Sequence, residues 1–166
     1  DTLEELFANK NKAIIFAPFT TAITDIEKWV KNKFPTNQVH TLFGETPIPD
    51  RQAMVDRFTE DLNPGVLIMN PKAGGVGLNI TTANHVIHFA PDWNPAVMDQ
   101  ASARSFRRGQ ILPVTIHNLF YVDSVEEYMY ERLDAKRSLS ETALSDTDEM
   151  PTVEELMKAL ERVPNV

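Results

Sequence analysis

Two hydrophobic patterns alternate along the chain. Short apolar runs at Ala13–Ala17, Val39–Phe43, Val66–Met69, His85–Ala90 and Val114–Tyr121 predict strands, and the first, AIIFA, has no polar side and expects cover on both faces. Between them apolar residues recur every three or four positions. Ile23, Ile26, Trp29 and Val30 predict a helix over Ala22–Lys33 with Lys28, Lys31 and Lys33 outward, closed by Pro35. Met54, Val55 and Phe58 predict a second helix, capped by Thr46 with Pro47 at its first position and reaching about Thr59. Leu3–Ala8 reads as the end of a helix, and Asn63, Pro64 and Gly65 as a turn. Asn94 and Pro95 open a helix expected to run to Arg108 and to stop at Gly109. Ser124 with Glu127, and Thr152 with Glu155, are capping-box pairs ahead of helices reaching about Leu139 and spanning Val153–Arg162. Strands alternating with helices predict an α/β fold, a parallel sheet with helices on both faces. There is no internal repeat, and Ser145–Met150 is the one stretch expected to be disordered.

Composition narrows this picture. With 166 residues and 42% hydrophobic content, the chain is long enough for one domain with a real core and too short for two. No apolar run approaches membrane-spanning length, and the amino terminus resembles neither a signal nor a transit peptide. The first residue is Asp, which suggests a piece of something longer. The absence of cysteine excludes a disulfide framework and a thiolate metal site and fits a reducing compartment. The net charge of −8 argues against a nucleic-acid partner until its distribution is considered. Residues 1–69 carry −3, residues 119–166 carry −7, and residues 70–118 carry +2.

That positive third holds the candidate chemistry. On the expected helix, Gln100, Arg104 and Arg107 stand at i, i+4 and i+7 with Arg108 alongside, either a solvated basic face or a set of arginines reaching a phosphate. Gly74, Gly75 and Gly77 follow a strand, where open parallel sheets place ligands, and serve either loop packing or close approach to a phosphate. They fit neither standard phosphate motif: Ile80 stands where the dinucleotide pattern needs a third glycine, and no glycine-rich loop ends in Gly-Lys-Ser or Gly-Lys-Thr. A nicotinamide or flavin enzyme is disfavoured on that ground. His85 and His88 are three apart in a strand, point to opposite faces and cannot chelate together, so the histidines read as structural. No serine-nucleophile elbow or zinc-protease helix motif is present, and no metal site is expected. Trp93 is either a loop anchor or an exposed aromatic for a partner.

Lys72–Thr81 (KAGGVGLNIT) followed by HVIHFAPDWNPAVMDQASARSFRRGQ resembles the fifth and sixth conserved motifs of the Swi/Snf family of superfamily-two helicase-like ATPases. Lys12–Thr20 (KAIIFAPFT) resembles the fourth, and LFGETP with Arg51 and Phe58 follows the family's pattern between them. The match in order and spacing covers about Lys12–Lys136. Two departures stand out: the family carries Asp and His where this chain has Ala103 and Phe106, and Asn70–Pro71 replaces a more usual Ser and Thr.

The resemblance implies a three-layer RecA-like fold of the P-loop NTPase type, the second lobe of a two-lobed motor, with a C-terminal helical extension. The lobe would occupy residues 1–137 and a helical tail residues 138–166. It implies that ATP and magnesium are held mainly by an N-terminal lobe that supplies the phosphate loop. Arg107 would be the first arginine finger and Arg104 its partner, with Gly75, Gly77 and Gln100 on the nucleotide side. Lys72, Thr20 and Asn79 would touch the backbone of double-stranded DNA, positioning it without reading sequence. The expected function is that of a DNA-stimulated Swi/Snf-type translocase, with this chain alone hydrolysing no ATP. The alternative, favoured by the departures at Ala103 and Phe106, is an inactive motor-lobe scaffold for nucleic acid or protein. Further expectations are a monomeric lobe, no membrane partner and a cytoplasmic location, at the nucleoid in a bacterial or viral protein and in the nucleus in a eukaryotic one.

Overall fold

The computed structural model describes residues 2–73, 78–92 and 94–142, with side chains as far as Ala135. The elements follow in the order α1 (Thr2–Ala8), β1 (Lys12–Phe16), α2 (Thr20–Lys33), β2 (Gln38–Leu42), α3 (Ile48–Glu60), β3 (Gly65–Met69), β4 (His85–His88), α4 (Pro95–Ser102), β5 (Thr115–Asn118) and α5 (Val125–Thr142). All four strand pairings are parallel and the sheet order is β2-β3-β1-β4-β5. The chain therefore first moves outward from β1 to β2 and later crosses back over β1 to β4. Such a reversal opens a crevice at the carboxyl ends of the central strands.

Both faces of the sheet are covered, as the apolar strands require. Ile14, Phe16, Leu67, Met69 and Val86 face Val55 and Phe58 of α3 and Ala101 of α4. Ala13, Ile15, Val66, Ile68 and Ile87 face Leu3, Leu6 and Phe7 of α1 and Ile23 and Val30 of α2. Burying such a side chain contributes about 1.5–3 kcal/mol, so β1 and β3, buried at every position, anchor the fold. Helix α5 joins α4 through a small cluster of Met98, Tyr130 and Leu133. Among the described residues no helix is long and apolar enough to cross a membrane.

Four local expectations change. Gly65 is not part of a turn but the first residue of β3, where a Cβ would collide with Gln38 of β2, so only glycine allows that approach. Helix α3 begins one residue later than expected, with Pro47 at the N-cap position and no side-chain cap; the Thr46 hydroxyl instead accepts the Phe43 amide at 3.3 Å, closing the turn out of β2. Strands β4 and β5 are shorter than their apolar runs, ending at His88 and Asn118.

The fourth change is the largest. Helix α4 spans Pro95–Ser102 and stops well short of Arg108. Its start is as expected, the Asn94 side chain accepting the Ala96 amide at 2.8 Å. At its end Arg104 and Ser105 donate to the carbonyls three residues back, at 3.3 and 3.0 Å, and the Arg104 carbonyl is taken by the Ile80 amide at 3.1 Å. That long-range bond and the burial of Arg104 compete with helix continuation, so Gln100, Arg104 and Arg107 do not form one helical stripe. Gly109 still reverses the chain, with φ 104°, in a turn whose next residue, Gln110, reaches the Ala83 carbonyl at 3.0 Å.

At α5 the capping box forms with a one-residue offset. Ser124 accepts the Glu126 amide at 3.2 Å, while Glu127 accepts the amide of Asp123, rather than Ser124, at 2.7 Å. The expected helix at Val153–Arg162, the stretch Ser145–Met150 and most of the expected tail lie outside the described residues.

Candidate nucleotide and nucleic-acid site

The loops leaving the carboxyl ends of β1, β2 and β3 enclose a cleft of about 360 Å³ lined by Thr20, Ile23, Phe43, Gly44, Glu45, Arg51, Asn70, Lys72 and Ala73. Its walls follow from local chemistry. Asn70, the residue after β3, donates to the Pro18 carbonyl at 2.6 Å and accepts the Lys72 amide at 2.8 Å. One short amide side chain therefore ties the loop after β1 to the loop after β3, a pairing of donor and acceptor available to asparagine. The exposed Lys72 and the exposed Thr20, first residue of α2, thus line one cleft. Asn79 is exposed but does not line it. Glu45 lines the same cleft as the cations Arg51 and Lys72.

Arg104 approaches from the other side. It is 7% exposed. Its guanidinium donates to the Pro71 carbonyl at 2.9 Å, lies 4.0 Å from the Met69 sulfur and sits over the Phe16 ring at 5.7 Å. Burial, and then the neighbouring charge of Arg107, pushes this guanidinium below its ordinary range, but arginine stays charged throughout the physiological range. Arg107, three residues on, is exposed, as are Arg108 and Gln100. The two arginines therefore occupy different environments: one is spent inside the fold, the other is presented outside it. Ala103 and Phe106, which stand where the resembling family has Asp and His, are also exposed, so both departures alter the surface around Arg107 rather than the interior. Gly75 and Gly77, expected on the nucleotide side, and Trp93 lie outside the described residues.

The histidines behave as structural residues. His88 is buried, stacks on Phe16 with centroids 5.5 Å apart and meets the Ser102 hydroxyl at 2.9 Å. His85 turns to the opposite face, where it meets Asn11 at 3.2 Å and His117 at 3.0 Å. Burial, with the charge of His117, holds its pKa below the usual imidazole value. Among the described residues no cluster of three or more His, Cys, Asp or Glu side chains could hold a metal ion. The donor set is instead one of guanidinium, ammonium, hydroxyl and amide groups, chemistry suited to phosphate. Sequence reasoning missed the bonding of Asn70 and Arg51; the only local signal was a polar residue ending an apolar strand.

Comparison with known proteins agrees with this geometry. Residues 1–109 match the family model described as Helicase conserved C-terminal domain. The chain is 43% identical over 100 residues to the DNA repair and recombination protein RAD54B of Gallus gallus, covering 60% of this chain and 11% of that protein. It is 35% identical over 133 residues to the ATP-dependent helicase ULS1 of Saccharomyces cerevisiae, covering 80% of this chain and 8% of that one. It thus spans about a tenth of the length of these relatives. The Sulfolobus solfataricus SWI2/SNF2 ATPase core domain superposes with a TM-score of 0.75 at 32% identity, covering 95% of this chain and 32% of that one.

Proposed function

Because the chain belongs to the helicase conserved C-terminal domain family, in its Swi2/Snf2 branch with a RecA-like fold, we propose that it is the second lobe of a DNA-stimulated ATPase translocase. The observation that carries this reading is the tripeptide Pro71-Lys72-Ala73, which joins two chemistries. The Pro71 carbonyl holds buried Arg104, and the next residue presents Lys72 to the cleft that also contains Thr20.

ATP, held mainly by an N-terminal lobe, supplies a phosphoryl group on which negative charge develops as it is transferred to water. Arg107 is the finger: exposed and always charged, it donates to those phosphoryl oxygens. Gln100, Gly75 and Gly77 complete the nucleotide side. Arg104 contributes by fixing the turn from which Arg107 projects. Magnesium, like ATP, is held mainly by the N-terminal lobe. Lys72 and Thr20, with Asn79 beyond the cleft, contact the phosphate backbone of double-stranded DNA. Such contacts position a track without reading its sequence, and opening and closing of the lobes moves the protein along it. The protein then works where DNA is, in a nucleus or at a nucleoid.

The DNA side is tested through salt. Each phosphate neutralised contributes about 0.9 to the slope of log affinity against log salt on duplex DNA. In the complete protein, Lys72→Ala is expected to reduce that slope by about 0.9 and to weaken binding equally on unrelated sequences. An unchanged slope would remove Lys72 from the interface. The second reading, an inactive scaffold, rests on the exposed Ala103 and Phe106 and predicts DNA binding without turnover.

A further inference from the structure

Arg51 has no role in the reading above, yet its side chain donates to three backbone carbonyls. It sits in the first turns of α3, and its Nε donates to the Thr46 carbonyl at 2.6 Å. One terminal nitrogen donates to the Gly44 carbonyl at 2.6 Å and the other to the Ala73 carbonyl. Thr46 and Gly44 belong to the loop leaving β2, and Ala73 to the loop leaving β3. A planar fork with five N–H groups in fixed directions suits carbonyls that lie on two different loops.

The consequence falls on Lys72. The carbonyl before it, at Pro71, is held by Arg104 and the carbonyl after it, at Ala73, by Arg51. Its own amide is held by Asn70. The backbone on either side of an exposed lysine is thereby held while the residue lines the cleft. We infer that Arg51 is a positioning residue that pre-organises Lys72 for a phosphate backbone, acting through the Ala73 carbonyl rather than by touching nucleic acid. This inference rests on Lys72 being a DNA contact.

The distinction is measurable. If Arg51 only positions, its loss leaves the ion contacts countable by salt but adds the cost of ordering the loop on binding. In the complete protein, Arg51→Ala is expected to weaken duplex binding about tenfold with the salt slope at its wild-type value. Arg51→Lys, a point charge that cannot fork, should restore less than half of that loss on a logarithmic scale. A slope lowered by about 0.9 in Arg51→Ala would make Arg51 a phosphate contact and overturn the inference, as would unchanged affinity. Amide exchange on the present chain provides a readout without DNA: in Arg51→Ala and in Arg51→Lys the Lys72 and Ala73 amides should exchange faster while those of β1 and β3 stay protected. Unchanged exchange at Lys72 and Ala73 would also overturn it. Lys72→Ala, measured in parallel, isolates the premise. If its slope and affinity are those of the wild type while the exchange result holds, the DNA reading fails and the clamp stands.

Discussion

Replacing Arg107 by alanine in the complete protein is expected to lower ATP turnover about a thousandfold while ATP binding changes little. The asymmetry follows from where the charge is needed. A finger acts on the charge that develops as the phosphoryl group transfers, so its loss removes stabilisation of the transition state and little of the ground state. The side chain is exposed beyond the end of α4, so its truncation opens no cavity in the core. The melting temperature of the variant should therefore match the wild type, and Arg107→Lys should recover little, since a point charge does not reproduce a planar fork. Single-turnover kinetics with an ATP-binding titration separate the two effects. Wild-type turnover would assign the finger elsewhere; weakened ATP binding with normal turnover at saturation would make Arg107 a binding residue.

Arg104 should behave in the opposite way. Arg104→Met keeps bulk in the site but leaves the Pro71 carbonyl without its charged donor and removes the cation over Phe16. Losing a hydrogen bond from a charged group to an acceptor in the fold costs about 2 kcal/mol. For a chain of this size that corresponds to a fall of about 6 °C in melting temperature, readable by circular dichroism on the chain as it stands. Turnover in the complete protein should fall as well, because the turn leading to Arg107 and the peptide before Lys72 both lose their anchor. An unchanged melting temperature would show that the bond from Arg104 to Pro71 adds nothing to stability.

Much of this architecture was legible in the chain because it is written locally. The run AIIFA cannot be solvated on either face and became central β1; Asn94 and Pro95 began α4 as their chemistry dictates; Ser124 and Glu127 closed on the start of α5. What was not legible depends on partners distant in sequence. Nothing near Ala103 indicates that the next residue will bind the Pro71 carbonyl, 33 positions earlier, and that its own carbonyl will pair with Ile80. Small residues at Ala101, Ser102 and Ala103 suit a helix, so spacing extended α4 through arginines that tertiary bonds turn in different directions. Gly65 read as a turn residue because its actual reason, the approach of Gln38, lies on another strand. The clamp of Arg51 likewise depends on Gly44 and Ala73. Lys72 and Thr20, far apart in sequence, line one cleft, while Asn79 is exposed outside it.

Family membership establishes the lobe, and the proposal that remains is that this lobe works in a motor driven by ATP and stimulated by DNA. The direct measurement is the steady-state ATPase rate of the complete protein titrated with duplex DNA, beside its Lys72→Ala variant. A rate that rises saturably with duplex, with the variant needing more DNA to reach it, is the result expected. A rate that ignores DNA, or no turnover with DNA bound, would contradict the motor and leave a scaffold.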